Sequence, residues 1–215
     1  MSILSAILAI IILVYSSIFH EIAHGFVAYR LGDPTAKLSG RLTLNPIKHI
    51  DPFMSIIFPL LLILSGSPII FGGAKPVPVD PFNLKEGRKD LALVSLAGPL
   101  TNILIAIVTA VLIHIFYPQM SLGAVIKSGI TGFIFAEIVI LNLLLAVFNL
   151  IPIPPLDGSK VFALILPKKE AAAYLSLESV GMFIVFLLLF FPIDPFSLMG
   201  VVRSLLNLSL SLLGF

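Results

Sequence analysis

The first nineteen residues, MSILSAILAIIILVYSSIF, contain no charged side chain, and apolar stretches of membrane length recur at 53–71, 91–116, 131–151 and about 171–192. Nothing constrains the fold more. A backbone in hydrocarbon must satisfy its own hydrogen bonds, so such stretches fold as helices packed side by side. Composition agrees: 59% of the 215 residues are hydrophobic and 11% are charged, where soluble domains carry about 25% charge. The chain lacks cysteine, which excludes disulfides and thiolate metal sites. No basic–aromatic patch points to nucleic acid.

Residues 1–19 lack the basic start of a signal peptide, and their apolar periodicity continues through HEIAHGFVAYRL. The reading is one uncleaved helix over 3–31, about 43 Å long, against a hydrocarbon core of about 30 Å. The last stretch, 196–215, is weaker. Arg203, Ser204, Asn207 and Ser211 form a polar stripe, which suits either a span facing the bundle or an interfacial helix. The expected fold is therefore an all-α polytopic membrane bundle of four to five spans, a single domain over 1–215.

Basic residues set the expected orientation. Loops 30–52, 72–90 and 152–170 carry most of them, whereas loop 117–130 has only Lys127, so the first three face the cytoplasm. Both loops flanking 53–71 are then on one side. That segment, interrupted by Pro59, Gly66 and Pro68, should enter and return as a re-entrant path. The partly alternating AKLSGRLTLN (36–45) predicts a small interfacial β-hairpin, either structural or an edge for an unwound peptide.

The oily lead-in ends in IFHEIAHGF (18–26). Ionisable groups at bilayer depth are costly and mark function. On a helix, His20 and His24 project from one face a turn apart. This H-E-x-x-H spacing lets two imidazoles hold one Zn²⁺ while Glu21 serves as general base; the alternative is a pair of hydrogen-bonded core histidines. A catalytic zinc needs a third protein ligand. His49 sits in a loop, His114 near the outer end of a span, and Glu137 on the outer half of another. Asp157, in FNLIPIPPLDGSK (148–160), remains. Pro152, Pro154 and Pro155 force the chain out of its helix there. The competing role for Asp157 is an N-cap of a helix starting at Gly158. Gly98 suits close helix packing. Asn102 suits either an interhelical hydrogen bond or support of a metal ligand.

HEIAH followed by FNLIPIPPLDG resembles the site-2 protease family of intramembrane zinc metalloproteases. GRLTLNPIKHIDP, FGGAKPVPVDP and LAGPLTN strengthen the likeness, which is to the compact prokaryotic branch without PDZ or CBS domains. The resemblance implies zinc on His20, His24 and Asp157, Glu21 as base, and Asn149 near the site as an oxyanion donor. It also implies a membrane-embedded protein substrate and a cell-membrane enzyme whose active site opens toward the cytoplasm. An ion transporter and a catalytically silent zinc scaffold are the other classes considered; the chain shows no internal repeat of the transporter kind, and it retains Glu21.

Overall fold

A computed structural model describes residues 3–52, 57, 61, 64, 75–190 and 197–215. Three helices dominate: α1 (Ile3–Leu31), α3 (Arg88–Phe116) and α5 (Ile130–Asn149). Between them lie a one-turn α2 (Thr35–Leu38), two short 3₁₀ turns at Pro46–His49 and Pro81–Asn83, and α4 (Leu122–Lys127). After α5 come α6 (Asp157–Phe162), α7 (Lys168–Leu175), α8 (Glu178–Phe190) and α9 (Leu198–Leu212). Among the described residues no strand occurs.

α1, α3 and α5 are each long and apolar enough to cross a membrane. The α7–α8 pair, bent by 64°, makes a fourth candidate. The chain is a multi-pass membrane protein with three or four such candidates, against the four to five spans expected. At 15 residues, α9 is about 22 Å long, short for a span by itself. Its Leu206 and Leu210 pack inward, while Arg203, Ser204, Asn207 and Ser211 are exposed. The polar stripe thus faces away from the bundle.

α1, α3 and α5 pack against one another, with α3 antiparallel to α1. Ala28 of α1 meets Val94 near the start of α3, and Ser16, a few turns earlier on α1, meets Asn102 further along α3. Small residues let the helices close on one another. Ala106, Ala110 and Ala136 are almost completely buried where α3 and α5 meet. The lipid-facing side is the reverse: Ile3, Ile7, Ile10, Leu104 and Val108 are exposed.

The connection from α1 to α3 leaves and returns at the same end of the bundle. Asp33, just past α1, accepts hydrogen bonds from the Asp80 backbone and the Asn83 side chain. The expected re-entrant path over 53–71 lies outside the described residues, apart from Ile57, Leu61 and Leu64. The β-hairpin expected over 36–45 is corrected. That stretch holds the turn of α2, a left-handed Gly40 (φ 63°) and irregular backbone.

Candidate metal centre

His20 and His24 sit on the buried face of α1, only 6% and 8% exposed. Their rings meet edge-on, with centroids 4.6 Å apart, as one-turn spacing dictates. Asp157 arrives from another direction. α5 ends at Asn149, the proline loop turns the chain, and α6 begins at Asp157 itself with Leu156 as its N-cap. No side chain caps that terminus, so the N-cap alternative for Asp157 gives way to contacts with the histidines. Its Oδ2 lies 3.1 Å from His20 Nε2 and 3.3 Å from His24 Nε2. Gly158 makes this approach possible: a Cβ there would stand 2.1 Å from the Leu150 carbonyl oxygen.

The three groups fit a metal ion on several counts. Bonds of about 2.1 Å in a tetrahedron place donor atoms about 3.4 Å apart, near the separations observed. Both imidazoles are also oriented from behind. His20 Nδ1–H donates to Asn102 Oδ1 at 2.5 Å, and His24 Nδ1–H donates to the Val94 carbonyl at 2.7 Å. Each Nδ1 proton so engaged leaves the Nε2 lone pair facing Asp157. Gly98 provides the room. A Cβ on Gly98 would lie 2.4 Å from His24 Nε2 and 2.6 Å from His20 Nε2, within the space an ion bonded to both would use. Among the described residues, this is the one group of three metal-ligating side chains whose donor atoms converge, all within 4.8 Å.

Asn102 makes the contacts of both its sequence readings, bonding across helices and accepting from His20. It is completely buried. Its amide donates to Asn142 Oδ1 at 2.7 Å and to the Ser16 carbonyl at 3.3 Å. Asn142, also completely buried, donates in turn to Ser16 Oγ at 2.9 Å and the Ile138 carbonyl at 2.8 Å. This chain locks the amide so that Oδ1 faces His20. The sequence reading did not single out Asn142, although a lone amide inside the apolar run IVILNLLLAVF is a costly residue that signals a buried partner.

Glu21 lies beside the cluster on α1, and its Oε2 accepts the Val77 backbone N–H at 2.7 Å. Asn149 is engaged elsewhere: its Nδ2 donates to the Leu145 carbonyl of its own helix at 3.0 Å. Neither remaining histidine joins the cluster. His49 is buried in its loop, with Nε2–H donating to the Thr43 carbonyl. His114 binds the Leu213 carbonyl and stacks on Phe215.

The model of the family described as peptidase family M50 matches residues 7–123 and 111–192. A protein of Bacillus subtilis with the provisional name zinc metalloprotease YwhC is 43% identical over 182 residues, 84% of this chain and 78% of that protein. The chain belongs to peptidase family M50. Two further relatives of this M50 protein carry similarly provisional zinc-metalloprotease names. Rip2 of Mycobacterium tuberculosis strain H37Rv is 32% identical over 88% of this chain and 69% of its own length. MJ0611 of Methanocaldococcus jannaschii is 35% identical over 74% of this chain and 71% of its own length. No solved structure matches the chain significantly. The family expected from HEIAH and FNLIPIPPLDG is met at the level of M50.

Proposed function

We propose that this M50 membrane protein is an intramembrane zinc metalloendopeptidase of the site-2 type, acting as one domain, which hydrolyses peptide bonds of membrane-embedded protein substrates. One observation carries the reading: His20, His24 and Asp157 converge with both imidazole Nδ1 protons already engaged. His20, His24 and Asp157 would hold the zinc. Bound zinc supplies Lewis acidity, acidifying a water molecule and polarising the scissile carbonyl.

The chain's own groups do the rest. Glu21, adjacent to His20, takes at its carboxylate the proton of the water that adds to the scissile carbonyl, and passes it to the amine that leaves as the C–N bond breaks. Asn149, on turning from the Leu145 carbonyl, donates to the developing oxyanion. The surrounding apolar helices lower the local dielectric, which strengthens each of these interactions. The basic loops orient the site toward the cytoplasmic side of a cell membrane. The substrate is a membrane peptide whose helix must unwind, because its carbonyls are otherwise held in internal hydrogen bonds.

The test is cleavage of a membrane-embedded reporter by purified wild type and Glu21→Gln. The substitution keeps the shape but cannot accept the proton. Turnover should fall by roughly two or more orders of magnitude, with zinc content near wild type. A transporter or a silent scaffold would show no reporter cleavage in either protein. Wild-type turnover in Glu21→Gln would remove Glu21 as the base.

A further inference from the structure

Two of the motifs that mark the family likeness, GRLTLNPIKHIDP and FGGAKPVPVDP, lie outside the metal cluster. Their described parts nevertheless bond to each other, and the second of them reaches Glu21. Residues 75–79 read Lys-Pro-Val-Pro-Val. Pro76 and Pro78 have no backbone N–H, so only three amides can anchor this stretch. Lys75 N–H donates to the His49 carbonyl at 2.8 Å. Val77 N–H donates to Glu21 Oε2 at 2.7 Å.

The carbonyls of the same stretch are held from the other motif. Arg41 is buried, and its Nη2 donates to the Lys75 carbonyl at 2.7 Å and the Pro76 carbonyl at 3.2 Å. Its Nη1 donates to the Lys48 carbonyl. One guanidinium thus ties together both segments, as its rigid fork of donors allows. Gly25, one turn beyond Glu21, lets the stretch lie directly on α1: a Cβ there would be 2.8 Å from Val77 Cγ1. Further along, the Asp80 N–H is taken by Asp33 at 2.7 Å.

We infer that Arg41 and the Val77 backbone form a clamp that positions the Glu21 carboxylate beside the His20–His24–Asp157 cluster. The inference rests on Glu21 as the proposed base. A glutamate on a helix has several rotamers. Fixing Oε2 on a backbone donor selects one and presents Oε1 as the proton acceptor. Arg41 acts through the carbonyls of Lys75 and Pro76, and is a positioning residue. Its loss would free the stretch, and Glu21 with it.

The experiment is hydrogen exchange on the full-length, zinc-loaded protein, read by mass spectrometry over residues 75–79. The prolines limit this stretch to three exchangeable amides, so one proton is resolvable. The Val77 amide should be protected in wild type and exchange at least about tenfold faster in both Glu21→Ala and Arg41→Ala, with α3 and α5 unchanged. A kinetic arm separates positioning from loop anchoring. Val77→Pro deletes the N–H, and kcat should fall about 10–100-fold, the range for a hydrogen bond to a charged group. KM should stay within about twofold and zinc content should be unchanged. Val77→Ala, which restores the amide proton, should return kcat to within about threefold of wild type. Unchanged Val77 exchange in Glu21→Ala overturns the clamp alone, and does so even if Val77→Pro fails to fold. Full kcat in Val77→Pro, or equal losses in the proline and alanine proteins, overturns the positioning role. Wild-type turnover in Glu21→Gln overturns the base itself, and the exchange result then still reads the clamp.

Discussion

Gly98 separates what a residue's type announces from what its neighbours decide. A glycine in LAGPLTN announces close packing and no more. The neighbours turn out to be the two Nε2 atoms that face Asp157, 2.4 and 2.6 Å from an added Cβ. Gly98→Ala should therefore lower zinc affinity by tenfold or more while leaving helix content intact. Asn102→Leu should cost about 10–100-fold in affinity, because it removes the acceptor that holds His20 Nδ1. Chelator competition on the purified proteins measures both. The H-E-x-x-H pair was legible in the sequence because helical spacing is local. Asp157 was reachable only by eliminating other carboxylates. Asn149 was not legible in the same way: the family likeness suggested a donor to substrate, whereas at the end of α5 its amide donates to the Leu145 carbonyl of its own helix.

At the scale of elements, the region 33–46 shows how turn chemistry overrides a periodic pattern. AKLSGRLTLN alternates partly and reads as a strand. Three turn signals frame it: Asp33-Pro34, Ser39-Gly40 and Asn45-Pro46. Asp33 accepts the Thr35 N–H at 3.0 Å and Asn45 accepts the Ile47 N–H at 3.1 Å, local bonds that fold the chain into turns. Asp33 also latches the loop before α3. Burial by itself would raise its pKa, but the hydrogen bonds from Thr35, the Asp80 backbone and Asn83 outweigh it and hold the carboxyl below its ordinary value. A depressed folded pKa gives stability that is fully present above the unfolded value, about 3.9, and lost as pH falls through the lower folded value. Protection of the Asp80 amide, corrected for intrinsic exchange, should therefore hold from neutral pH down through the ordinary carboxylate value, about 4, and be lost only as pH falls further through the lower folded value. Asp33→Ala should lack that protection at neutral pH already. A wild-type latch that opened on raising the pH would contradict this account.

The whole molecule follows from where hydrocarbon ends. The three long apolar helices and the order in which they follow one another were legible, because apolar runs report membrane crossing directly; the full count was not, since four to five spans were expected and three or four candidates are found. The meeting of α1 with the start of α6, 137 residues apart, was expected from the ligand set; what sequence could not supply was the packing behind it, where Asn142 of α5 holds Asn102 of α3. The orientation is testable because the chain has no native cysteine. Thiol labelling of Lys85→Cys and Lys168→Cys, both at exposed positions, should occur from the cytoplasmic side only. Labelling of the two from opposite sides would separate loops that the shared site requires on one side. The most direct test of the central claim is zinc bound per chain after a mild chelator wash, measured by elemental analysis of wild type and Asp157→Ala. A three-ligand site predicts about one zinc in wild type and a large loss in Asp157→Ala, since a two-histidine remnant holds zinc poorly. An Asp157→Ala protein that keeps both its full zinc and its full cleavage would contradict the account.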